Sequence, residues 1–214
     1  MDLRRHMLLS AGVMQGTRLD ALDVGDSVYI YEGTEEDGGL FEYILIAADY
    51  PKAGTVLLMR NGATGSLQYA AGTVKGYAGS TIDTYLGNET TGFLGLFMPA
   101  IRAKIQTVPI ETHTSGAATT IDRRAFLLSD TEIRSTGTNF VEGEKIPYFT
   151  SVSKFPSASA WTRQPYSFSG VNINQAYTIW GGNQYAQVAG QLQIVPCLCL
   201  LGKERVDSNN SLIV

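Results

Sequence analysis

The chain has 214 residues, 44% hydrophobic and 17% charged, with 16 Lys and Arg against 20 Asp and Glu for a net charge of −4. Such a length supports a hydrophobic core without disulfide or metal staples, and the abundant aromatic and branched aliphatic residues exclude disorder. The acidic balance disfavours a phosphate-backbone reader, which needs a basic stripe. No run approaches the roughly eighteen apolar residues of a membrane span, so no membrane insertion is expected.

The N-terminus carries Arg4, Arg5, Leu3, Met7 and Leu8 but lacks the long apolar stretch and small-residue cleavage site of a signal peptide. An arm over residues 1–18, docking through its apolar side chains, is the expectation, followed by one domain over 19–214. Residues 27–31 and 41–46 alternate as two strands of a hairpin, with turn chemistry at Glu35, Glu36, Asp37, Gly38 and Gly39. From Arg18 to Lys52 acidic residues occur without a basic one, and the expectation is a solvated acidic hairpin. Its spacing is not that of a calcium loop. Residues 55–60 predict a further strand.

Helical evidence is concentrated at 80–106. Ser80 with Asp83 three residues on can cap a helix carrying Ile82, Tyr85 and Leu86, ended by Gly87 and Asn88. A second helical stretch is expected at 93–98, and Pro99 can open a third. Residues 108–110 are expected to be extended, 112–122 a polar loop, and 125–128 a short apolar strand. Ser129, Asp130, Thr131 and Glu132 form the S/T-x-x-E capping pattern, predicting a brief helical turn at Ile133. Residues 136–155 have loop composition. Thereafter strands and turns alternate, ending in the continuous apolar run 196–201, which predicts a strand buried on both faces.

Side chains that carry catalysis or hold metals are scarce. The two histidines are His6 and His113, and His113 in its polar segment is expected to be solvated. Cys197 and Cys199 would lie roughly 6.5–7 Å apart on one face of a strand, at or beyond disulfide reach, and are expected to be reduced core residues. Their spacing does not suit zinc. No metal and no cofactor is therefore expected. From Trp161 to Leu201 there is no Asp or Glu, which removes the carboxylates that calcium-dependent sugar binding requires. Between Arg163 and Lys203 there is no basic residue, which disfavours nucleic-acid binding.

The segment Trp161-Thr162-Arg163-Gln164-Pro165 and the strand Val195-Pro196-Cys197-Leu198-Cys199-Leu200 together resemble the W-L-R-S-P and R-P-A-L-x-L elements of a phage and prophage domain family of unknown function found in gut-type Firmicutes. Shorter pieces at 24–26, 80–86 and 125–129 are similar too, so the resemblance spans about residues 20–202. Val195 stands where that family usually has Arg, and Trp161 is single where an aromatic pair is usual. The ending of that family is similar to C-type-lectin-like domains, including the variable proteins of diversity-generating retroelements and the formylglycine-generating enzymes.

The resemblance implies an α+β, C-type-lectin-like fold with two or three short helices, small twisted antiparallel sheets and many loops. It assigns Trp161, Arg163, Pro165 and Pro196 structural roles. It also implies a binding face, and Tyr166, Phe168, Asn172, Asn174, Tyr177, Trp180, Asn183 and Tyr185 have the composition of one: stiff aromatic area beside adaptable amides. The resulting expectation is a non-enzymatic display domain, virion-borne or at a bacterial surface, whose partner is a host cell-surface protein or glycan and whose exposed positions are open to retroelement diversification. The alternatives are a structural virion component, docked by its arm onto other virion proteins or copies of itself, and a copper oxidase of the formylglycine-generating type using Cys197 and Cys199.

Overall fold

A computed structural model describes residues 16–33, 38–134, 139–151, 154–157, 159–180 and 185–214, with the backbone alone described at Trp180. Residues 1–15 of the expected arm, the hairpin turn at 35–37 and Asn183 lie outside the described residues.

The most apolar segments make the central strands. β4 (Thr55–Arg60) is buried at every position, and β13 (Cys197–Leu201) at all but its last. They pair antiparallel in a five-stranded sheet of order β2-β3-β4-β13-β8, with β2 at Ser27–Glu32, β3 at Gly39–Ala48 and β8 at Ala125–Phe126. Having a partner on each edge and core on each face, β13 needs no polar alternation, so the Pro196 run is a strand buried on both faces. The reduced Cys197 and Cys199 pack within it.

The second five-stranded sheet has the order β11-β10-β9-β12-β5. Its members are β5 (Ser66–Gln68), β9 (Ser159–Ser169), β10 (Asn172–Trp180), β11 (Tyr185–Gln187) and β12 (Gln191–Gln193). Pairing is antiparallel except where Gln193 of β12 meets Ala160 of β9 in parallel. β9 and β10 are joined at Gly170, whose φ of +62° costs little without a Cβ, and their register shifts more than once along the pair.

Among the described residues three short helices complete the fold. α1 (Thr81–Gly87) is capped by Ser80, whose hydroxyl accepts the Asp83 N–H. α2 (Pro99–Lys104) opens on a proline, as expected. α3 (Asp130–Arg134) begins with a complete capping box: Ser129 Oγ accepts the Glu132 N–H at 3.0 Å, and Glu132 Oε2 accepts the Ser129 N–H at 2.7 Å. Residues 93–96 form one 3-10 turn rather than a longer helix. At the chain ends, β1 (Thr17–Arg18) pairs antiparallel with β14 (Arg205–Val206). The architecture is mixed α+β, loop-rich, with few helices and several small, mostly antiparallel sheets.

Two expectations are corrected here. Residues 112–122 are not a loop: β6 (Val108–Thr114) and β7 (Ala117–Arg123) form a hairpin. Its two-residue turn, Ser115 and Gly116, has φ of +52° and +81°, the handedness that matches strand twist. The small polar residues are strand residues of a ribbon in which β6 buries Thr112 and His113 while β7 is largely exposed, and composition alone cannot distinguish such a ribbon from a loop. Nor is the acidic hairpin fully solvated. Glu32 is buried, accepting hydrogen bonds from Tyr43 Oη at 2.6 Å and Arg60 Nε at 2.9 Å, so Arg60, distant in sequence, supplies its counter-charge.

Candidate functional site

The β9 segment carrying the Trp-x-Arg-x-Pro pattern is buried, and each of its side chains from Trp161 to Gln164 has a defined partner. Trp161 donates its indole N–H to the Leu67 carbonyl at 2.9 Å and meets Tyr69 edge-on at 5.5 Å. Thr162 donates to the Tyr177 carbonyl. Gln164 accepts the Thr131 N–H and donates to the Asn139 carbonyl. Pro165 and Pro196 are buried.

Arg163 is 1% exposed and anchors a buried charge cluster. Nη1 and Nη2 donate to Glu132 at 2.7 and 2.9 Å, Nη1 also to the Leu127 carbonyl at 2.8 Å, and Nε to the Glu111 carbonyl at 2.9 Å. A bidentate fork of this kind is the strong geometry for a buried pair. Its carboxylate also accepts from Tyr50 Oη at 2.5 Å. The guanidinium thus binds carbonyls and an internal carboxylate.

Beside this pair lie His113 and Glu142. Contrary to the expectation of a solvated histidine, the His113 side chain is mostly buried, and its Nδ1 lies 3.3 Å from Glu142 Oε1. Strand β6 turns the ring inward, and Phe140 covers it edge-on at 5.3 Å. Glu142 is fully buried, and desolvation raises its carboxyl above the ordinary glutamate range despite the opposing His113 and Arg163. The sequence reading missed Glu142, His113 and Tyr50 as a group. Only Glu132 had a local signal, its capping pattern.

The expected binding residues divide. Tyr166 of β9 and Tyr185 of β11 stack with centroids 3.8 Å apart and planes 10° from parallel. Tyr185 is exposed at 39%. Gln175 and Gln187, paired across β10 and β11, and Ser167, which donates to Gln175 Oε1, bring uncharged polar groups beside them. Asn174 is exposed, and Asn172 is half-buried at the β9–β10 turn.

Tyr177 is a correction. It is only 2% exposed, with Tyr166 edge-on at 5.2 Å, and forms the floor under the tyrosine stack. Its place on the interior strand β10, between β9 and β11 and under the Tyr166 ring, buries what composition alone assigns to the surface. Phe168 is also engaged within the fold: it packs edge-on at 4.9 Å against Phe140.

Burial pushes the Cys199 thiol up to about 12, and the Cys197 thiol well upward. That is the direction opposite to the thiolate a copper site uses. Among protein-family models, one for a domain of unknown function, DUF6273, matches residues 53–202. No curated protein and no solved structure matches the chain significantly.

Proposed function

The chain belongs to the DUF6273 family of domains of unknown function, and on that premise we propose that it is a non-enzymatic, phage- or prophage-encoded binding domain with a C-type-lectin-like fold. One observation carries the reading: the Tyr166–Tyr185 stack stands at the sheet surface over buried Tyr177, among uncharged Gln and Ser side chains. Stacked rings give rigid contact area at low entropic cost, and amides adapt to varied donors and acceptors. Among the described residues β11 is the edge strand of its sheet, and Tyr185 on it is exposed at 39%. The lectin-like part of the reading is supported by the mixed α+β architecture, with few helices and several small antiparallel sheets.

The face would contact a protein or glycan at a host cell surface, with Arg163 and Trp161 holding the scaffold behind it. The test is adhesion of the purified chain to intact host cells, comparing wild type with Tyr185→Ala and Tyr166→Ala. The reading predicts loss of adhesion by both variants while circular dichroism and melting stay near wild type. Undiminished adhesion by the folded double variant overturns it.

A further inference from the structure

Three local costs fall within four residues of one segment. Phe140 has φ of +58°, a left-handed conformation that costs a residue with a Cβ about 1–3 kcal/mol. Glu142 is a carboxyl with no exposure, and its Oε2 accepts no hydrogen bond among the described residues. Arg163 Nε, 3.5 Å from Oε2, gives its hydrogen to the Glu111 carbonyl. Gly143 has φ of +72° and lies so close to Tyr50 Oη and Glu132 Oε1 that a Cβ would sit 2.5 and 2.7 Å from them. Strain and orphaned buried acceptors persist only where surrounding contacts hold them.

Those contacts are mostly borrowed from the charge cluster. The Gly143 N–H donates to Glu111 Oε2 at 2.9 Å, and the Ile146 N–H donates to the Glu132 carbonyl at 2.9 Å. The Glu144 N–H reaches Tyr50 Oη at 3.4 Å, while the Glu142 carbonyl accepts from Ser129 Oγ at 2.6 Å. Residues 139–146 therefore lie as a strap over the cluster, attached by side-chain acceptors and single backbone bonds rather than by a ladder of strand pairing.

The charges packed around Glu142 can be summed. Arg163 on β9 and Glu132 on α3 cancel through their bidentate contact. The phenols of Tyr50, before β4, and Tyr69, after β5, are neutral, since burial raises both. Glu111 on β6 is exposed, and Asp130 of α3 pairs with Arg134. On the strap itself, Glu144 and Lys145 are exposed, with Lys145 Nζ donating to the Ile133 carbonyl. What remains is Glu142 with His113, and this pair is neutral only while it holds one proton. An extra buried charge is costly, and opening the strap to water relieves it.

We propose that residues 139–146 form a proton-latched strap, closed while Glu142 and His113 share one proton and released when that proton is lost. Release detaches Phe140 from His113 and Phe168 and opens the Arg163–Glu132 pair to solvent. The direction follows from Glu142: its raised folded value means the closed state binds the proton more tightly than an open, solvated carboxyl does.

The test is amide hydrogen exchange at Gly143, Glu144 and Ile146 over a pH series, corrected for the intrinsic rise of exchange with pH. In the wild type, protection of these amides falls by up to about tenfold per pH unit between the ordinary glutamate range and the raised value of Glu142 in the closed strap, the one-proton limit, and levels off above it. Amides of β13, which exchange only on global unfolding, stay more protected than those of the strap. In Glu142→Gln, which mimics the protonated carboxyl, strap protection stays level. Equal pH dependence in both proteins, or strap protection equal to that of β13 at every pH, overturns the proposal. If the variant does not fold, the carbonyl carbon of Glu142 followed by NMR in the wild type decides: titration above the ordinary glutamate range, together with the loss of strap protection, supports the latch. Titration at the ordinary value, or at a pH where protection does not change, overturns it.

Discussion

Arg163 on β9 and Glu132 on α3 meet in a bidentate contact at 2.7 and 2.9 Å, with the arginine 1% exposed and the glutamate equally buried. One guanidinium thereby ties the second sheet to a helix whose own start is capped by the same carboxylate. Removing either member leaves the other charge buried without a partner, at a cost of about 3–5 kcal/mol. Arg163→Met and Glu132→Gln are each expected to lose that much in urea denaturation. The double replacement Arg163→Met with Glu132→Leu should lose less than the sum of its single changes, because neither charge is then orphaned.

Glu142 makes stability depend on pH. Because its carboxyl is raised in the folded state, its contribution is fully present below the ordinary glutamate range and is lost as pH rises through the raised value. Denaturation midpoints for wild type and Glu142→Gln, measured over that interval, should diverge as pH rises, with the wild type losing ground.

Tyr177 and Tyr185 both pack against Tyr166, edge-on and stacked respectively, but differ in burial, 2% against 39% exposed. Tyr177→Ala empties part of the core and should cost about 3–5 kcal/mol, as large aromatic truncations do. Tyr185→Ala mainly removes one face of the stack and should cost about 0.5–1.5 kcal/mol. Thermal melts of both variants check this, and equal losses would contradict the buried-floor arrangement.

Gly143→Ala combines a left-handed backbone with a Cβ driven into Tyr50 Oη and Glu132 Oε1. A loss above about 1 kcal/mol is expected. Tyr50→Phe with Gly143→Ala should recover part of it by removing the nearest obstructing atom.

The thiols report on the core. Cys197 and Cys199 are buried and held in the unreactive thiol form, Cys199 with its titration pushed up to about 12. A thiol reagent should label neither residue in the native protein and both in denaturant, at a rate set by unfolding. Rapid native labelling would show that β13 is not the interior strand.

What was legible in the sequence was local. The apolar run after Val195, the alternation at 27–31 and 41–46, the Ser80 cap and the Ser129–Glu132 box each state their structure within a few residues, and β13, the first hairpin, α1 and α3 follow them. The tertiary structure decided what depends on distant partners. Glu32 is buried because Arg60 reaches it across 28 residues, His113 because Glu142 does so across 29, and Tyr177 because strands on both sides enclose β10. A charge enters the interior only when its counter-charge arrives, and that arrival is a property of chain topology. Spacing along the chain therefore determined the elements of this protein, while the pairing of charges across them determined its buried cluster.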